Sequence, residues 1–206
     1  MRIEELKPSK HVPGRWLAVM EDGSILRVGE GEVVDFALYA GKELTQEEAQ
    51  TLTAAARRSG LKEKTLELLT RKPMSRKELE RKLSDWEAGE EETAVLCDRM
   101  EELGFLNDAA YAVQVVRHYS QKGCGEHKLR DELYRRGVPR ELWEDALAQA
   151  ADPADAIDAF LQKKLAGKQP DRKEWKKVSD ALVRRGYGWE EISAALRRYG
   201  AEEDGD

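Results

Sequence analysis

A spacing constrains this chain more than any single residue does. Leu79 and Leu83 recur as Leu129 and Leu133, 50 residues later, and again as Val178 and Leu182, 49 residues after that. The last two copies keep step downstream as well. Leu133 to Trp143 and Leu182 to Ile192 are both 10 residues; Leu133 to Leu147 and Leu182 to Leu196 are both 14. A period of this length is the mark of one repeated supersecondary unit, and so small a unit buries too little apolar surface to stand alone. The expectation is therefore a mainly α fold of three tandem three-helix repeats stacked into an elongated array.

The local signals agree on helices. Apolar residues fall at three- and four-residue steps in Leu79, Leu83 and Trp86, in Tyr111, Val115 and Tyr119, in Trp175, Val178 and Leu182, and in Trp189, Ile192, Leu196 and Tyr199. Thr45 with Glu48, and Ser75 with Glu78, fit reciprocal caps at helix starts. Asp152-Pro153 places a capping carboxylate before a proline whose missing donor costs nothing there. Gly60-Leu61, Gly104-Phe105, Gly137-Val138 and Gly186-Tyr187 each pair a glycine with an apolar residue, the pattern of a left-handed helix end.

The N-terminus reads differently. Arg15 to Met20 and Ser24 to Val28 are short apolar-rich runs joined by Glu21-Asp22-Gly23, which predicts a small β-hairpin packed on a neighbour. Val33 to Tyr39 reads as a short helix in preference to a third strand, and the helical period sets in near Thr45. The expected division is an N-terminal segment over residues 1–58, repeats over 59–106, 107–151 and 152–200, and an acidic tail over 201–206.

Charge narrows the function. With 35 basic and 41 acidic side chains the net charge is −6, unlike a polycation built to coat DNA. Residues 161–198 nevertheless hold 11 basic and 5 acidic side chains, a local +6, which calls for a polyanionic partner. No apolar run is long enough to span a membrane. The first residues lack the apolar stretch of a secretory signal and two cysteines cannot form a disulfide framework, so a cytoplasmic location is expected.

In order and spacing, the motifs resemble those of the RecX family, bacterial regulators of the RecA recombinase. The first repeat carries Ser75 to Leu79, Lys82-Leu83, Leu103 to Asp108 and Tyr111-Ala112. The second carries Lys122 to Gly125, Leu129, Glu132-Leu133 and Arg136-Gly137-Val138, and the third Lys177, Leu182, Arg184 to Tyr187 and Ile192. Together they span residues 61–198; the hairpin and the acidic tail lie outside the pattern. The resemblance implies a modular, curved helical protein lodged in the groove of the RecA filament on single-stranded DNA. It also implies restraint of filament growth, ATP hydrolysis, strand exchange and LexA cleavage, by a monomer with at most weak DNA binding and without enzymatic activity or a cofactor.

Arg135-Arg136 and Arg184-Arg185 are the sharpest contact candidates, since their recurrence would set them along one surface. The competing reading is that cations in a last turn only complement the helix dipole. The full expected contact set is Lys122, Lys128, Arg130, Arg135, Arg136, Arg172, Lys173, Lys176, Lys177, Arg184 and Arg185. Trp175 is assigned to the core and not to base stacking. Arg71-Lys72, Arg76-Lys77 and Arg81-Lys82 are assigned to surface salt pairing with interleaved glutamates. His118, Cys124 and His127 lack the paired spacing of a zinc site, and no catalytic motif occurs. A tandem helix-turn-helix DNA-binding protein remains as the alternative, disfavoured by the acidic net charge.

Overall fold

The computed structural model describes residues 1–166 and 170–200, so the acidic tail lies outside the described residues. Two compact units result, Met1–Lys72 and Pro73–Asp206.

The first unit opens on three strands, β1 (Ile3–Pro8), β2 (Arg15–Met20) and β3 (Ile25–Gly29), antiparallel in that order. The hairpin holds: β2 and β3 pair from Arg15 opposite Gly29 to Val19 opposite Ile25, and Gly23 turns with φ +81°. The first strand is an addition to the expectation. It is an edge strand rich in charge, with Ile3 buried and Pro8 at its end, where a missing donor is tolerated. The short helix expected over Val33–Tyr39 falls earlier, as α1 (Glu30–Asp35), with residues 36–39 outside it; α2 (Gln46–Arg71) follows, which Thr45 and Glu48 cap reciprocally. Ile3, Ala18, Met20, Val28 and Leu52 close the core of this unit.

Gly60 does not end a helix. It lies in the middle of α2, so the boundary expected between residues 58 and 59 also falls inside that helix. The reason is tertiary. Arg15 is 8% exposed and crosses to α2, donating to Glu63 at 2.7 Å and to Ser59 at 3.1 Å. A Cβ at residue 60 would lie 3.4 Å from Nη2, in ordinary contact with that guanidinium.

The second unit contains α3 (Arg76–Asp85), α4 (Glu90–Glu102), α5 (Asp108–Gln121) and α6 (Glu126–Arg135). A 3-10 turn, Arg140–Leu142, leads into α7 (Trp143–Leu147). Then come α8 (Pro153–Leu165), α9 (Arg172–Arg184) and α10 (Trp189–Arg198). The repeat-defining residues Leu79, Leu83, Leu129, Leu133, Val178 and Leu182 are all buried. Trp175 packs against the core of the third repeat, as expected. Trp189 does not join the stripe assigned to it: at the first position of α10 it is 67% exposed.

Gly104, Gly137 and Gly186 take φ of +75°, +68° and +91°. Behind Gly137, the Val138 amide donates to the Leu133 carbonyl, and behind Gly186 the Tyr187 amide donates to Leu182, the bonds of a left-handed helix end. The first copy makes the same turn without glycine. Glu87, four residues after Leu83, has φ +60°, and the Ala88 amide donates to Leu83.

Candidate functional site

Both arginine pairs lie where one repeat meets the next. The last carbonyls and first amides of a helix have no partner inside it, and here neighbouring helices supply one another. The Gly125 and His127 amides, at the start of α6, donate to the Arg185 and Gly186 carbonyls at the end of α9, at 2.9 and 3.0 Å. At the other end of α6 the Arg136 carbonyl accepts from the Ser75 hydroxyl, which caps α3, and Arg135 accepts from Arg81 at 3.4 Å. The helices therefore follow α9 to α6 to α3, negative end to positive end, an arrangement their dipoles favour.

This close approach explains the glycines better than φ alone. A Cβ at Gly137 would lie 2.5 Å from the Lys77 Cβ, and one at Gly186 would lie 2.5 Å from the Lys128 backbone nitrogen. Gly125 has an ordinary φ of −81°, yet its Cβ would also come within 2.5 Å of the Gly186 backbone.

Within the first pair the arginines divide. Arg136 turns inward, its side chain 20% exposed, with Tyr111 Oη at 2.8 Å, Tyr119 Oη at 3.3 Å and Glu78 at 3.4 Å. It also lies over both tyrosine rings, 5.9 and 5.8 Å from their centroids. Burial pushes the Tyr111 phenol up to about 12, and Glu78 beside it adds to the shift. Arg185, its counterpart, stacks 4.4 Å from the Phe160 centroid; Phe160 stands 49 residues after Tyr111. Arg135 instead keeps 67% of its side chain exposed while touching Glu132, and Arg184 is exposed. At the first joint Arg135 is outward and Arg136 inward, whereas at the second Arg184 and Arg185 are both exposed, Arg185 lying over the Phe160 ring.

The rest of the expected set spreads over three helices. Lys122 ends α5 with Nζ 5.8 Å from the Tyr119 centroid, and Lys128 is exposed on α6. Arg130 pairs with Glu126 at 2.7 Å and Glu144 at 3.0 Å, which neutralises it within its own repeat. Arg172, Lys173, Lys176 and Lys177 are exposed on the first turns of α9. In the first repeat Arg76 meets Asp98, Glu101 and Glu80, and Lys77 meets Glu80, the salt pairing anticipated there. A hydrogen bond from Lys77 holds the Glu80 carboxyl below its usual range.

Two features lie outside the expected contact set. Glu132 is 4% exposed and bridges Arg135 and Arg136; its signal was a carboxylate three and four residues before paired arginines, on the apolar side of α6. Tyr134 and Val183 stand at one repeat position and remain 68% and 53% exposed, each beside the outward arginine. No group of three or more metal-binding side chains occurs among the described residues, and none of their helices is long and apolar enough to cross a membrane.

Comparison with known proteins places this geometry. Residues 107–147 match the model of the second RecX three-helix domain, and 151–196 match the third. A regulatory protein RecX of Pseudomonas entomophila is 32% identical over 64% of this chain and 86% of its own length. That of Streptococcus gordonii is 25% identical over 99% of this chain and 79% of its own. A crystal structure of regulatory protein RecX aligns with TM-score 0.70 and 21% identity over 95% of this chain and 98% of that one. RecX from Lactobacillus salivarius aligns at 0.64 and 23% over 70% and 97%.

Proposed function

The chain belongs to the RecX family of regulatory proteins, and from that premise we propose that it binds the RecA–single-stranded DNA filament and restrains its growth, ATPase, strand exchange and co-protease activities without catalysis of its own. The observation that carries this reading is the recurrence of an exposed arginine beside an exposed apolar residue, Tyr134-Arg135 and Val183-Arg184, at both joints. A filament offers its partner the same surface at a fixed interval, and a repeat protein answers with the same side chains at a fixed interval. Lys122, Lys128, Arg172, Lys173, Lys176 and Lys177 extend the cationic surface around these positions. Arg136 and Arg130 support it from within, through Tyr111 and Glu144, and Arg185 stays exposed over Phe160.

RecA ATPase on single-stranded DNA, with added wild-type protein and at two salt concentrations, tests the proposal. Wild type should inhibit, and less so as salt rises, because each contact competes with mobile ions. Replacing Arg135 and Arg184 together by glutamine should raise the half-inhibitory concentration by about tenfold at low salt, roughly 0.7 kcal/mol per contact, with the melting temperature nearly unchanged. No inhibition by wild type would overturn the reading. Tight binding to bare duplex DNA would instead favour the helix-turn-helix alternative.

A further inference from the structure

We propose that a groove of about 450 Å³ between α8 and α9, in the third repeat, is a docking site for an acidic polypeptide segment carrying an apolar side chain. This rests on the reading above in taking the partner surface to be protein. Phe160, Leu165, Val178 and Ala181 form the floor, and Lys164, Lys177 and Arg184 stand at the rim. Three cations there face one carboxylate, Glu174, which has an interaction of its own.

The second repeat shows how the groove arises. The residue 49 positions before Ala181 is Glu132, whose carboxylate is nearly buried and bridges Arg135 and Arg136. Ala181 removes both the volume and the countercharge. Arg184, the counterpart of Arg135, is left with no carboxylate partner among the described residues, as are Lys164 and Lys177. An apolar floor under unneutralised cations selects a ligand that is apolar in the middle and anionic at the edge.

Nucleic acid is the poorer fit. Single strands bind through open aromatic faces on which bases stack. The ring of Phe160 is already covered by Arg185, at 4.4 Å, and Lys164, at 6.0 Å, which leaves a base no open face there. A carboxylate-bearing segment needs only the aliphatic floor and the rim.

The test uses the nitrogen-15-labelled full chain and a capped hexapeptide alternating aspartate with leucine, followed by amide chemical shifts. A lysine–leucine peptide and a short oligo(dT) serve as comparisons. The acidic peptide should move the amides of Lys177, Ala181 and Arg184, and the lysine peptide should not. Ala181→Glu, which imports the second repeat's carboxylate, should weaken binding by about tenfold, and Lys177→Glu should do likewise. Gln162→Glu adds the same charge on an exposed position of α8 outside the groove and should change affinity less than about twofold. Still amides with the acidic peptide, equal weakening by Gln162→Glu, or stronger movement of the same amides by oligo(dT) would each overturn the proposal. If Ala181→Glu fails to fold, Lys177→Glu decides. Because no RecA is present, failure here leaves the ATPase result standing, and failure of the ATPase test leaves this result standing.

Discussion

The two joints of the second unit share a backbone and differ in their side chains. Both end a helix on glycine and bring its last turn against the start of the next. At the α6–α3 joint the inward arginine is enclosed by charge and phenol: Glu78, Glu132, Tyr111 and Tyr119. At the α9–α6 joint the matching arginine, Arg185, is exposed over a phenylalanine ring, and alanine stands where the other joint has glutamate. The joint is thus specified by backbone hydrogen bonds and missing Cβ atoms. The charges around it are free to vary: one joint holds a nearly buried carboxylate between its two arginines, and the other has none at the matching position.

The largest effects should come from the backbone. At Gly186 the obstacle to a side chain is the Lys128 main chain, which cannot rotate away; at Gly137 it is the Lys77 side chain. Adding a left-handed penalty of about 1–2 kcal/mol to an overpacking cost of about 1–3 kcal/mol, Gly186→Ala should cost about 3 kcal/mol or more and Gly137→Ala about 2. Gly125→Ala, at an ordinary φ, carries only the second cost. Chemical denaturation of the three variants checks the order. Equal costs for Gly186→Ala and Gly125→Ala would show that close approach alone fixes the joint.

A smaller difference should separate Arg136 from Arg185, its exposed counterpart. Arg136→Gln leaves the nearly buried Glu132 without its inward partner and should cost about 2–3 kcal/mol. Arg185→Gln loses a contact with a ring and should cost about 1 kcal/mol or less. Matching losses in a denaturant series would remove the contrast on which the groove proposal is built.

The smallest effect is a rate and not a stability. Burial pushes the Cys97 thiol up to about 11 and leaves it 0% exposed, so it should resist a thiol reagent at pH 8 in the folded protein. Cys124 is half-buried and precedes Gly125 at the α9–α6 joint. Its labelling should be the faster of the two and should quicken in Gly186→Ala if that joint loosens. Labelling of Cys97 at the same rate would mean that α4 opens as readily as the joint does.

Much of this protein was settled along the chain itself. Apolar period, capping residues and turn glycines act over four or five neighbours, so helices, helix ends, the hairpin and the repeat register were all legible before any fold was considered. Gly60 is the exception, because a glycine that ends a helix and one that lies inside α2 look alike locally. The same reading missed β1, whose strand character comes from pairing and not from its own composition. It grouped Arg135 with Arg136 and Arg184 with Arg185, because adjacent residues share a sequence environment. They point about 100° apart around a helix, and only packing decided that Arg136 turns in against Tyr111, Tyr119 and Glu78 while Arg135, Arg184 and Arg185 stay exposed.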